Sequence, residues 1–190
     1  MNPPFTLLTN RIPVWRKPKS AFVNMTDPTQ IFELLDRLGV IYNTVEHPAT
    51  FTVAEAKTLR VGLSPSGETK NLFLRDKKKR NFLLSASHTT EVDLVKLSEN
   101  IGSKRLSFAR PERLEQYLGI QPGSVSAFAL LNDQSREVEF WLDSKLAELD
   151  EIHFHPLINT MSTTVSFAGL QRFCDYTGHK LNVVDLQATT

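Results

Sequence analysis

Two placements of positive charge mark the segment SGETKNLFLRDKKKR, residues 66–80. Lys70 stands at the mouth of an apolar strand. Burying an ammonium costs several kcal/mol unless it is paired. A lysine there either keeps its head in water above apolar surface or faces an anion in a cleft. Lys77, Lys78, Lys79 and Arg80 stand where the strand must turn back. That run reads as a solvated bend that discourages edge pairing, or as a contact for nucleic-acid phosphates.

His153 and His155, in "HFH", share one face of a strand and form a possible ligand pair. Recognised metal sites need three or four convergent ligands. His47, His88 and His179 lie far off at no ligand-type spacing. Neither a metal nor a cofactor is expected. Cys174, the single cysteine, falls on the apolar face of a helix, where a thiol is normally inert. The chain has no Walker loop, GxGxxG, GxSxG or HExxH. The missing phosphate loop disfavours an enzyme of free nucleotides.

Several elements must position these groups. Asp27, Pro28 and Gln30 open a helix as N-cap, first-turn proline and capping-box partner. Ile31, Leu34, Leu35 and Leu38 line one face, and Gly39 ends it. Residues 40–47 read as a strand, and Thr52 with Glu55 opens a short helix to about Arg60. Residues 69–76 and 81–87 form a hairpin with the basic run at its bend. EVDLVKLSEN is a helix, RLSFA a short strand, and RPERLEQYLG a helix from Pro111 to Gly119. PGSVSAFALLND and REVEFWLD read as a second hairpin. IHFHP is a short strand. A helix carrying Phe167, Leu170, Phe173 and Cys174 closes at Gly178, before a final strand KLNVVDL. Alternating helices and strands with tight turns predict a mixed sheet, not a purely parallel one.

The 190 residues suit one domain with a real core. Apolar content of 41% and charged content of 23% are ordinary for a globular chain. No run reaches 18 apolar residues, so no membrane helix is expected. A lone cysteine excludes an internal disulfide and fits a reducing cytoplasm. The net charge of +1 gives no global pull toward nucleic acid, so RNA contact must be local and no DNA partner is implied. Residues 1–25 differ, with four prolines, four basic residues and no acid. They read as an extension before a domain at 26–190. The prolines oppose the amphipathic helix of a transit peptide.

Taken together, "HP" at 47–48, TKNLFL at 69–74 and GSKRLSFARPERLEQYLGIQPGSVSAFALLND at 102–133 resemble one family. FHPLIN at 154–159 and SFAGLQRF at 166–173 continue the match in order. The chain resembles the YbaK/ProX editing-domain family, in its free-standing branch that hydrolyses Ala-tRNA(Pro). The similarity runs from about residue 26 to about 186. It implies a single α/β (α+β) domain with a mixed, partly closed, barrel-like sheet flanked by helices.

The resemblance implies Lys70 and His155 as catalytic residues. It implies Asn71, Gly123, Ser124, Val125, Asn132 and Asn159 as substrate contacts. Lys70 would meet the terminal phosphate or polarise the ester. Backbone N–H groups of the Gly123–Val125 loop would meet the oxyanion. Val125 and Phe128 would set the pocket's size. The implied partners are aminoacyl-tRNA(Pro) and, transiently, prolyl-tRNA synthetase or an elongation factor. Two alternatives stay open. One is a deacylase for Ser, Thr or Cys esters. The other is a tRNA- or synthetase-binding module without turnover.

Overall fold

The computed structural model describes residues 26–49 and 64–187. The N-terminal extension and the helix expected over 52–60 lie outside the described residues. β2 (Thr69–Arg75) and β3 (Asn81–Ser87) form the expected hairpin, paired antiparallel from Thr69↔Ser87 to Arg75↔Asn81. β4 (Ser107–Phe108) adds antiparallel to β2. β5 (Val138–Asp143) adds parallel to β3, and β8 (Leu181–Val184) parallel to β5. The order β4-β2-β3-β5-β8 is a mixed sheet, as the turns required. β1 (Tyr42–Glu46), β7 (Met161–Val165) and β6 (Ile152–Phe154) form a second, antiparallel sheet, order β1-β7-β6.

The mixed α/β class holds. The barrel-like closure does not appear among the described residues. β4 and β8 bound one sheet, β1 and β6 the other. Among the described residues one parallel bridge, Glu68↔His153, pairs their backbones.

Local chemistry explains the helices. Asp27 accepts from the Thr29 N–H at 2.9 Å and starts α1 (Thr29–Arg37), satisfying a donor that helix ends leave orphaned. Asp93 accepts from Val95 and Lys96 at the start of α2 (Leu94–Asn100). Pro111 opens α3 (Pro111–Leu118), and Gly119 ends it at φ 64°, a left-handed conformation that costs glycine little. α4 (Ser144–Ala147) follows an Asp143 cap, and α5 (Phe167–Thr177) a Ser166 cap.

The second hairpin is a correction. Residues 127–131 form a 3₁₀ turn, capped by Ser126. β5 finds parallel partners on both sides, so it needs no antiparallel neighbour. Ala127 to Leu130 are wholly buried, an apolar run that packs equally well as a strand or a helical turn. Phe128 meets Phe154 and Phe173 edge-on at 5.6 and 5.2 Å between centroids. Each such pair adds about 0.5–1.5 kcal/mol beyond its burial. β7, which was not anticipated, lies just before α5.

Two cores result. The larger joins α1, α5 and the inner face of both sheets through Leu34, Phe73, Leu83, Phe140, Phe154 and Phe173. The smaller, on the other face of the five-stranded sheet, holds Leu74, Phe82, Leu84, Ala86 and Leu97. β3 is therefore buried at all seven positions.

A buried hydrogen-bonded carboxylate anchors the far end of the sheet. Asp133 accepts from the Glu137 and Val138 N–H groups and lies 3.1 Å from His179 Nε2. Burial alone would raise its pKa, but the bond from His179 and the two amides outweigh it and hold the carboxyl below its ordinary value. Asp76 is likewise depressed, with the Arg80 bonds outweighing its burial. A depressed carboxyl adds stability that is complete above its unfolded pKa and lost as pH falls through the folded one. Urea midpoints should therefore stay level above about pH 5 and decline below about pH 4. Asp133→Asn should cost about 1.5–3 kcal/mol at neutral pH and flatten that acid decline. An unchanged acid slope would refute the assignment.

Candidate active site

The bridge between the sheets places Lys70. Glu68 pairs with His153, and the Thr69 hydroxyl donates to the His153 carbonyl at 2.7 Å. Lys70 and His155 each lie two residues beyond that bridge. Strand alternation turns Lys70 to the face of Glu68, and His155 follows directly on the end of β6. Lys70 is half-buried. Among the described residues no group takes a hydrogen bond or ion pair from its ammonium. On the same face of the hairpin, the Glu68 carboxylate sits 3.9 Å from His88 Nε2.

His155 has its tautomer set. Its Nδ1 lies 2.7 Å from the Met161 carbonyl, which can only accept. Nδ1 therefore carries the proton, and the lone pair of the neutral ring sits on Nε2. His47 packs beside it, ring centroids 5.9 Å apart. The buried His47 donates from Nδ1 to the Pro48 carbonyl, and its Nε2 accepts from Ser162, both at 2.9 Å. His47 is thus brought beside His155, against the expectation that it lies far off. The quoted "HP" was the signal for it, though no role attached to it.

His153 is a structural residue. Its Nε2 donates to the Ser64 carbonyl at 2.9 Å and its Nδ1 accepts from Thr164 at 2.8 Å. Among the described residues no three His, Cys, Asp or Glu side chains gather as metal ligands. The Cys174 thiol is buried, and burial followed by the neighbouring Asp175 pushes its pKa up to about 12. It is no nucleophile at neutral pH.

The remaining expected residues divide. Asn71 faces away from Lys70. Its amide donates to Thr69 Oγ1 at 3.1 Å, and its carbonyl accepts from Ser85. It orients the hydroxyl that joins the sheets. Gly123, at φ 93°, opens an exposed loop in which Ser124 and Val125 are half-buried. The Ser124 N–H donates to Gln121 at 3.1 Å. Among the described residues the Gly123 and Val125 N–H groups make no bond within the chain, so those two are the loop's open donors. Phe128 lies wholly inside the core and lines no open pocket. Asn132 donates to the Leu118 carbonyl at 2.8 Å and borders a shallow polar hollow with Gln116 and Glu137. No contact brings it to Lys70. Asn159 is half-buried in the loop that follows His155.

The fold and this arrangement have relatives. The family described as aminoacyl-tRNA editing domain matches residues 47–173. The chain belongs to the aminoacyl-tRNA editing domain family. The prolyl-tRNA editing protein ProX of Acetoanaerobium sticklandii is 32% identical over 165 residues, covering 86% of this chain and all of that protein. The prolyl-tRNA synthetase associated domain-containing protein 1 of Danio rerio is 36% identical over 152 residues, covering 79% and 82%. A solved structure described as a candidate trans-editing enzyme for prolyl tRNA synthetase superposes with a TM-score of 0.64. It covers 83% of this chain and 96% of its own at 22% identity, a likeness of fold. The editing domain is an enzyme, an aminoacyl-tRNA hydrolase.

Gly67 shows how tightly the domain holds its bridge. A Cβ there would collide with the Glu151 carbonyl oxygen and lie 2.7 Å from His153 Nε2. Gly67→Ala should destabilise the protein by about 1–3 kcal/mol, read by thermal unfolding. Thr69→Val should cost about 1–2 kcal/mol by leaving the His153 carbonyl and the Asn71 amide without their partner. Wild-type melting of both variants would show that the bridge is not structural.

Proposed function

We propose that this protein hydrolyses the ester of alanine mischarged on proline tRNA, acting in trans. The observation that carries the reading is that Lys70 and His155 each stand two residues beyond the Glu68–His153 bridge. The names of the two curated relatives supply the prolyl context. Proline tRNA is the main partner, with prolyl-tRNA synthetase or an elongation factor as transient ones. Residues 26–190 form the editing domain, and the reducing cytoplasm is where it works.

His155 Nε2 takes a proton as water attacks the ester carbonyl carbon. The tetrahedral oxyanion collects hydrogen bonds from the Gly123 and Val125 N–H groups. A well-aimed donor of this kind supplies about 3–4 kcal/mol. The carbonyl C–O bond to ribose then breaks, and His155 returns the proton to the departing hydroxyl. Lys70 neutralises the terminal phosphate or the ester oxygen as a point charge. Asn71 acts at one remove, through Thr69. Asn159 lies close enough in sequence to His155 to contact the aminoacyl group. Asn132, engaged with Leu118, serves the fold before the substrate.

A synthetase site shaped for proline cannot strongly refuse alanine, because a methylene is worth only about 1–3 kcal/mol. A second site sorts in the opposite direction by admitting the smaller residue. Val125, packed at the core's margin, is the wall that would exclude the proline ring.

Lys70→Ala should lower single-turnover deacylation of Ala-tRNA(Pro) by about 10²–10³-fold with an unchanged melting temperature. Retained activity would remove Lys70 from the mechanism. Val125→Ala should raise cleavage of Pro-tRNA relative to Ala-tRNA(Pro). Seryl, threonyl and cysteinyl esters tested beside them decide the edited amino acid, and faster cleavage of any of these would displace alanine.

A further inference from the structure

The hairpin bend carries a surface that the ester chemistry does not use. Asp76 builds it. Its carboxylate accepts from the Arg80 backbone N–H and from Arg80 Nε at 3.0 and 2.9 Å. Lys79 takes φ 65° to close the turn. Arg80 also reaches Glu139 and the Gly102 carbonyl, and its guanidinium lies over the Phe82 ring. Arg113 donates to the Asn81 side chain and the Lys79 carbonyl, and lies over Tyr117. These two arginines are internal ties. They bind the bend to the loop before β4 and to α3.

The cations around them are different. Lys77, Lys78 and Lys79 at the bend, Lys104 and Arg105 before β4, and Arg110 after it are all exposed. Among the described residues none of the six is in an ion pair. Asp76, beside Lys77 in sequence, is taken by Arg80, and Glu112 stands two residues after Arg110 in the first turn of α3. A protein with a net charge of +1 thus concentrates six uncompensated positive charges along one sheet edge. Phe108 lies among them, 62% exposed, on an edge strand that pairs only with β2. An aromatic ring set in a positive field is the combination that takes phosphates and a stacked base together.

We infer that this edge holds the helical end of the RNA whose 3′ ester lies at Lys70. The phosphates lie along Lys77–Lys79, Lys104, Arg105 and Arg110, and the first unpaired base stacks on Phe108. The inference rests on the editing reading for its substrate. Spacing supports it. β2 spans seven residues between Lys70's end and the bend, about 23 Å at ~3.3 Å per residue. A single terminal nucleotide at Lys70 cannot reach that far, but the paired stem behind it can. The surface would therefore distinguish RNA with a stem from a short charged fragment, while the ester site treats both alike.

The test uses the whole protein with two exposed-surface variants. One carries Lys77→Ser, Lys78→Ser, Lys104→Ser and Arg105→Ser together; the other is Phe108→Ala. Binding of uncharged proline tRNA is measured across a salt series. Deacylation is measured on Ala-tRNA(Pro) and on the alanyl ester of its 3′-terminal trinucleotide. The fourfold variant should bind tRNA at least tenfold more weakly, with a salt slope shallower by about 3 to 4. Phe108→Ala should bind about fivefold more weakly or worse. The trinucleotide ester should be cleaved at the parent rate by both. Unchanged tRNA affinity and salt slope would overturn the inference. So would equal slowing on the trinucleotide, because the substitutions would then act at the ester site. If the parent protein cleaves neither ester, the editing reading fails, and the binding curves still decide whether the edge holds RNA.

Discussion

The Thr69 hydroxyl, donating to the His153 carbonyl, ties two open sheets together beside the Glu68–His153 bridge. Lys70 belongs to one sheet and His155 follows a strand of the other. Their relation is therefore set by this contact more than by either sheet alone. Ser85 and Asn71 hold the hydroxyl from behind, Gly67 leaves room for the His153 ring, and Ser64 and Thr164 fix that ring. Fixed polar groups at a junction cost no reorganisation during reaction, which is what electrostatic catalysis requires.

This arrangement changes the meaning of residues that look functional in one dimension. His153 has the residue type of a ligand or base, yet both ring nitrogens are committed to structure. Asn71 neighbours Lys70 in sequence but points to the opposite face, and it acts on Lys70 only by bracing the strand. Among the four basic residues at the bend, Lys77 to Arg80, Arg80 is a strut and not a contact. Its guanidinium has three partners inside the protein. Neighbouring residues of like charge thus divide between scaffold and surface.

Much of the fold was legible because local signals carried it. Pro111, Gly119 and Gly178 mark helix ends by capping chemistry that acts within one turn, whereas the helix read from Glu91 starts at Leu94 with Asp93 as its cap. The hairpin at 69–87 was readable from two apolar runs around a polar bend. The apolar run at 127–131 was not, because burial on all sides erases periodicity. β7 was hidden for a related reason: Ser162, Thr163 and Thr164 are buried polar residues with no apolar alternation, paired on one side with β1 more than 100 residues away. At the site, Lys70 and His155 came from the family resemblance, and the Glu68–His153 bridge sets both two residues beyond it. The position of His47 beside His155 depends on β1 meeting β7, which nothing in the local sequence announces.

That long-range pairing bears on how the protein is made. β1 leaves the ribosome long before β7, its only strand partner among the described residues. His47 and Ser162 are separated by 115 positions. At the usual ~5–20 residues per second, an emerging β1 waits roughly 6 to 23 seconds. For most of that interval the nascent chain carries Lys70 but not the second sheet. A ribosome stalled before residue 161 would release a polypeptide with one strand ladder unsealed. Quality control would meet it as a sticky fragment, not as a weakened hydrolase.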